Sequence, residues 1–248
     1  MGMYDDLAAL YDLFVDWPSR LKNELPLLER LGVGLPGQRI VDAACGTGQH
    51  ARAWADRGAH VVAIDASAEM IGRARRDDLA GRVDWRVGDF AGVPADGTAD
   101  ALVCIGTSLP HVPSRDGYRA ALAAFARSVR PGGRVIVQGR NLPRTLATGE
   151  RFLPPLARTT AEGTVLFWRF YDLLPPEHVD FHLAVFRERP PGWTHHVLTS
   201  RLCVIAAEDL AAAAAAAGLT SVRTCGHLDG RPYELASPDL VLVAERPR

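Results

Sequence analysis

Apolar positions recur along this chain with two periods, and the period in force changes with position. Leu7, Leu10, Leu13 and Phe14, then Leu21, Leu25, Leu28 and Leu31, recur at helical spacing, which predicts helix across residues 4–31. Pro18 falls between the two sets, where a helix start accepts it. Gly32 to Gly37 reads as a turn-rich linker. From Arg39, short apolar runs alternate with amphipathic stretches. Strands are predicted at 39–43, 61–64, 83–87, 100–105 and 134–138, and helices at 48–57, 67–77 and 115–129. That alternation predicts a parallel sheet with helices on both faces.

The rhythm changes after Asn141. Residues 164–172, 179–188 and 195–205 are strand-like with no helical stretch between them, so antiparallel strands joined by turns fit best. Ala206 to Leu210 then runs into the alanines Ala211 to Ala217, closed by Gly218, which predicts one helix. Strands at 220–226 and 239–245 finish the chain. The reading is one α/β domain in four parts. These are an N-terminal helical cap (1–37), a core (38–142), an antiparallel β insertion (143–205), and a C-terminal helix and hairpin (206–248).

Composition narrows the partners. A chain of 248 residues with formal net charge −1 carries no basic field to hold a polyanion, so nucleic acid is not the expected partner. No apolar run approaches the ~20 residues of a membrane span, and the acidic start Met1 to Asp6 lacks the pattern of a signal peptide. Cys45, Cys104, Cys203 and Cys225 are far apart and form no C-x-x-C pair, which suits core residues in a reducing compartment and argues against zinc. A cytoplasmic protein with no membrane partner and no metal is expected. A homo-oligomer and a monomer both stay open. His178, Asp180 and His182 share one strand face, but no further ligand converges on them, so a polar strand face explains the spacing. His195 and His196 point to opposite faces of their strand.

The chemistry concentrates after the first core strand. Asp42-Ala43-Ala44-Cys45-Gly46-Thr47-Gly48 joins a strand to a helix, an arrangement that brings backbone close to a nucleotide-like ligand. Gly46 to Ala51 satisfies G-x-G-x-x-[GA], and Asp65 follows at about the 20-residue spacing of a ribose-binding acid. Up to this point a nicotinamide dinucleotide fits as well as any adenosine-bearing cofactor, and an NAD-dependent oxidoreductase stays open. The third strand ends in Gly88-Asp89-Phe90, an acid followed by an aromatic, which suits an adenine amine and ring. Two further segments follow, Val103-Cys104-Ile105-Gly106-Thr107-Ser108-Leu109-Pro110-His111 and Val129-Arg130-Pro131-Gly132-Gly133.

With these segments and Ala63-Ile64-Asp65-Ala66-Ser67, the chain resembles the class I S-adenosylmethionine-dependent methyltransferases over nearly its whole length. Within them it is similar to the glycine and sarcosine N-methyltransferase group and its small-molecule relatives. The resemblance implies a doubly wound, seven-stranded, mostly parallel sheet with an antiparallel β insertion over the active site. It implies S-adenosylmethionine as cofactor and in-line methyl transfer to a small-molecule acceptor, at an amine nitrogen in the narrower group. A scaffold that binds the cofactor without transferring a methyl, as a cyclase or regulatory module, also stays open.

Carried across residue by residue, the resemblance makes Asp65 the ribose acid, and Asp89 and Phe90 the adenine contacts. Ala44 and Gly46 pass the methionine part, and Gly48 belongs to the cofactor-binding loop. Trp17, Ala66, Met70 and Ile105 complete the cofactor set. Arg20 matches an arginine that pairs with the cofactor carboxylate, for which its fork is suited. Tyr11 matches an aromatic near the methyl group, and His111 a cofactor-proximal histidine. Arg169 corresponds to the insert arginine that takes an acidic acceptor group; a surface charge or structural pair is the alternative. Asn141, Tyr171 and Tyr233 are further acceptor-side candidates. Thr107 departs from the asparagine of the glycine enzymes, which loosens the link to glycine itself.

Overall fold

In the computed structural model, which describes residues 3–189 and 191–248, seven strands build the central sheet. They are β1 (Arg39–Ala43), β2 (His60–Asp65), β3 (Val83–Val87), β4 (Ala99–Cys104), β5 (Val129–Arg140), β10 (Thr220–Cys225) and β11 (Asp239–Glu245). Their spatial order is β10-β11-β5-β4-β1-β2-β3. The five strands from β5 to β3 run parallel, while β11 lies antiparallel between β5 and β10. Strand order reverses between β1 and β4, so the loops leaving these two strands diverge and open a crevice at the carboxyl edge of the sheet.

Apolar side chains on both faces of these strands make two cores. One face packs on Leu25 and Leu28 of α2 (Trp17–Arg30), Trp54 of α3 (Gln49–Asp56) and Ile71 of α4 (Ala68–Asp77). The other packs on Tyr118, Leu122 and Phe125 of α5 (Arg115–Ser128) and Leu210 of α7 (Ala207–Ala216). Local chemistry sets the helix starts. The Asp16 carboxylate accepts the Ser19 N–H, and Pro18 occupies the first turn of α2, where its missing N–H costs nothing. Ser67 and Ser114 cap α4 and α5 in the same way.

The second sheet is wholly antiparallel, with order β6-β7-β8-β9: β6 (Leu156–Thr160), β7 (Gly163–Leu174), β8 (His178–Arg189) and β9 (Gly192–Cys203). Alternation gives it an apolar inner face. Val165, Phe167, Leu183, Val185 and Leu198 pack against Met3 and Leu7 of α1 (Met3–Phe14), forming a small core of their own. Two elements here escape the periodicity. α6 (Leu142–Thr148) spans seven residues, too short for a helical period to register, and is set by its Asn141 cap and by Gly149 at φ 69°. β6 carries the polar run Arg158-Thr159-Thr160 and pairs along one side only. The strand expected at 134–138 starts earlier. Val129 already pairs with Ala99, and the Pro131-Gly132-Gly133 segment is an irregularity inside the ladder.

α5 and the end of the insertion are joined by one buried polar contact, in which the Tyr118 hydroxyl donates to the Cys203 carbonyl at 2.7 Å. Tyr118→Phe leaves the packing intact and strands that carbonyl. Urea unfolding should show a loss of about 1–3 kcal/mol with an unchanged circular dichroism spectrum.

Candidate active site

Backbone geometry around the first glycine loop is fixed by the strand beside it. The Ala44 and Cys45 N–H groups both donate to the Ile64 carbonyl, at 2.8 and 3.0 Å. The Asp65 carboxylate then takes the Gly46 N–H on one oxygen at 2.8 Å and the Ser67 N–H on the other at 2.9 Å. Gly48 adopts φ +75°, and a Cβ there would collide with the Trp85 ring, so this position needs glycine for helix–strand packing.

Above these loops lies a cavity of about 690 Å³. Ala44, Gly46, Asp65, Ala66 and Met70 line it, together with Asp89, Phe90, Tyr11 and His111. One Asp89 oxygen accepts the Ala91 and Gly92 N–H groups, and the Phe90 ring meets Phe125 edge-on at 5.6 Å. Four expected cofactor residues do not line this cavity, and one of them, Arg20, lines the neighbouring cavity instead. Gly48 faces Trp85. Ile105 is buried, and its carbonyl accepts from the Ser108 hydroxyl. Trp17 is buried, donates its indole N–H to Asp12 at 2.7 Å, and carries the Arg20 guanidinium over its ring at 5.2 Å. Trp17 therefore packs beneath the Arg20 guanidinium.

A second cavity, of about 500 Å³, opens toward the insertion. Arg169 and Tyr171 of β7 line it, with Arg20, Gln138 and Arg140 from the core side. Arg20 donates to both Glu24 oxygens at 3.0 Å, and Glu24 also meets His50 at 2.9 Å. Asn141 and Tyr233 line neither cavity. The Asn141 amide donates to the Leu235 and Ser237 carbonyls, while its oxygen accepts from Tyr233 and from the Arg144 N–H. The hydrogen-bonding capacity of the Asn141 side chain is spent on the chain itself. Thr107, at φ +71°, accepts the Arg140 N–H on its hydroxyl at 2.9 Å and so joins the loop after β4 to the end of β5.

The two cavities share four residues: Tyr4, Tyr11, Gly106 and His111. Tyr4 escaped the sequence reading, although it lies on the same helix face as Tyr11, seven residues away. Its hydroxyl meets His111 Nε2 at 3.0 Å, and the Ser200 hydroxyl meets His111 Nδ1 at 3.0 Å. Burial pushes His111 down to about 4, so the imidazole is neutral at pH 7. Burial also raises Tyr4 and Tyr11, which keep their protons. Asp42, beneath the loop, is raised to about 7 by burial and then by the Asp65 charge.

The strand face His178-Asp180-His182 is taken up in pairs. Asp180 binds Arg201 through both oxygens, and His182 meets Thr199 and Asp172. Among the described residues no group of three or more His, Cys, Asp or Glu is placed to hold a metal. No helix among them is long and apolar enough to cross a membrane.

Residues 40–133 match the model of a methyltransferase domain family. The demethylmenaquinone methyltransferase of Beutenbergia cavernae is 39% identical over 175 residues, 65% of this chain and 69% of that one. The glycine/sarcosine N-methyltransferase of Parasynechococcus marenigrum is 31% identical over 190 residues, 74% of this chain. The chain covers 64% of that relative's length, just under two thirds. The crystal structure of an S-adenosylmethionine-dependent methyltransferase from Clostridium acetobutylicum superposes with TM-score 0.79 at 15% identity, covering 99% of both chains. The chain belongs to the class I S-adenosylmethionine-dependent methyltransferases. The family decides what the glycine loop left open, and the nicotinamide reading is set aside.

The walls of the larger cavity fit that cofactor. Its volume suits a nucleoside-sized ligand. Each Asp65 oxygen accepts one N–H, which leaves lone pairs for ribose hydroxyls, and burial, with the Asp5 charge adding to it, holds this carboxyl above its usual range. Asp65→Ala removes both the hydroxyl acceptor and the tie to Gly46. Calorimetry should show S-adenosylhomocysteine binding weakened at least about tenfold, and unchanged affinity would count against this placement.

His111 gives a pH signature. Its pKa falls from 6.5 in the unfolded chain to about 4 in the folded one. In that window the unfolded chain takes up a proton that the folded chain does not, so stability is full above the window and is lost as pH falls through it. Urea unfolding of wild type and His111→Asn at both ends of the window should show a smaller acid loss in the variant.

Proposed function

We propose that this protein methylates the nitrogen of a small-molecule amine, with residues 143–205 forming the wall that selects the acceptor. The observation that carries the reading is the meeting of the two cavities at Tyr4, Tyr11, Gly106 and His111. One cavity fits the family's cofactor; the other is a separate chamber ending in cationic side chains. When bound, the cofactor supplies a methyl group made electrophilic by a cationic sulfur.

This chain's own residues align, dry and neutralise. Gly106 sits at φ +90°, with the Arg20 guanidinium 3.2 Å from where its Cβ would be, so the junction narrows without a side chain. Tyr4, Tyr11 and His111 are all uncharged near neutral pH. None has an affinity for protons suited to ionising a hydroxyl. A junction of this kind favours a nucleophile that attacks without prior ionisation, which describes a neutral amine. The low-dielectric surroundings also favour the amine over its ammonium form. The name of the glycine/sarcosine N-methyltransferase relative points to the same class of acceptor. Positioning supplies most of the rate in such a transfer.

Arg169 is the arm for an acidic acceptor group. Its guanidinium stands over the Phe14 ring at 5.5 Å, and burial followed by the nearby Arg140 charge lowers its pKa. Incubation with methyl-labelled cofactor and a panel of amines, alcohols and thiols tests the reading, and label should enter amines only. Against a methylated amine, Arg169→Ala should raise the acceptor KM at least about tenfold and leave the cofactor KM within about twofold, as expected for loss of a charge-assisted contact. Equal effects on both KM values would return Arg169 to a structural role.

A further inference from the structure

His50 sits inside the glycine-loop motif, at a position that the cofactor reading leaves without a task. Its buried ring lies between two others, edge-on to Trp17 with centroids 5.8 Å apart and tilted against Trp54 at 5.7 Å. That packing fixes the imidazole, and its Nε2 stands 2.9 Å from one oxygen of Glu24 on α2. The contact is short but off the line of a good hydrogen bond. Glu24 in turn takes the Arg20 Nε–H on both oxygens at 3.0 Å. A continuous set of side chains thus connects α3, the helix that the glycine loop starts, to the Arg20 guanidinium.

Helix stability does not account for the pair. Arg20 and Glu24 are four residues apart on α2, with the base N-terminal to the acid, which is the less favourable order and adds little on a helix surface. This pair is also not on the surface. The Arg20 and Glu24 side chains are 21% and 18% exposed, and His50 is 6% exposed. Burial opposes the Glu24 charge, but the His50 contact and the Arg20 charge outweigh it and hold the carboxyl below its usual range. Burial lowers His50, so the imidazole is neutral at pH 7.

Glu24 engages only the Nε of Arg20. A guanidinium is planar and rigid, so holding Nε over the Trp17 ring also sets the direction of the two terminal nitrogens. Those nitrogens lie 3.2 and 3.7 Å from where a Cβ on Gly106 would be. Their edge is the fork that takes a carboxylate through two parallel hydrogen bonds. Gly106 lines both cavities, and Tyr11, which also lines both, is a second side chain interacting with this guanidinium. The fork therefore opens on the junction.

We propose that Glu24 and His50 are positioning residues that aim the terminal fork of Arg20 at the carboxylate of the cofactor's amino-acid end. Glu24 balances the Arg20 charge, so what the brace supplies is direction. The amino-acid end carries an ammonium beside its carboxylate and needs no net positive charge to bind. The proposal concerns the cofactor and holds for any acceptor, so it stands apart from the amine reading.

Two ligands separate positioning from folding. S-adenosylhomocysteine carries the amino-acid end, whereas 5′-methylthioadenosine has the same adenosine and sulfur without it. By calorimetry, Glu24→Ala should weaken S-adenosylhomocysteine binding at least about tenfold and leave 5′-methylthioadenosine within about twofold. Arg20→Ala should do the same. The double variant should lose no more than Arg20→Ala alone, because Glu24 acts through the arginine. Glu24→Gln keeps an oxygen for the Arg20 Nε–H and should fall between wild type and Glu24→Ala. If Glu24→Ala does not fold, the same two-ligand comparison is read on Glu24→Gln. Unchanged or tighter S-adenosylhomocysteine binding overturns the proposal, since Glu24 would then be only a counterion. Equal losses for the two ligands also overturn it, as do losses that add in the double variant.

Discussion

One carboxylate holds the cofactor floor together. Asp65 ends β2, and its two oxygens reach in opposite directions, one to the loop that leaves β1 and one to the start of α4. Parallel strands cannot be tied by a hairpin, so their loops need side-chain or backbone contacts to agree on position. Asp65 makes that agreement between β1 and β2, beside the reversal of strand order at β1 and β4. Its neighbours then follow. Ser67 caps α4 and donates its hydroxyl to Asp5, and Thr47 donates to Asp12, so both ends of α1 hang from loops that Asp65 has set. An acid whose sequence position suggests ribose recognition is equally a structural brace.

The core was legible because its signals are local. Arg39–Ala43 and Asp239–Glu245 coincide with the expected apolar runs, since each is buried among helices and neighbouring strands and shows it in composition, while the edge strand Val83–Val87 is marked only by its alternating buried residues Val83 and Trp85. What the sequence left dark depends on partners far away in the chain. Asn141 and Tyr233 suit an acceptor site by residue type, yet they are 92 positions apart and satisfy each other. Trp17 reads as a ligand contact until Asp12 takes its indole N–H and Arg20 covers its ring. Arg140 looks like one more arginine in an arginine-rich chain. Only the cavity that it shares with β7 sets it apart.

Thr107 illustrates the difference between a substitution in a motif and a change of function. The resemblance treats this position as part of acceptor selection. The structure gives it a backbone task, since its hydroxyl anchors the Arg140 N–H while its own φ lies where β-branched residues are seldom found. The residue that replaces an amide here thus also fixes the strand end that presents Arg140 to the cavity.

The small core shared by α1 and the insertion has a thermodynamic consequence. Its seven buried residues, Met3, Leu7, Val165, Phe167, Leu183, Val185 and Leu198, are distinct from the two cores that flank the central sheet. A separate core is a separate cooperative unit, able to open at a lower free energy than the whole molecule. The central sheet can then stay folded while α1 and the insertion breathe. Amide exchange would register that division as two tiers of protection, split along the seam where the chambers meet.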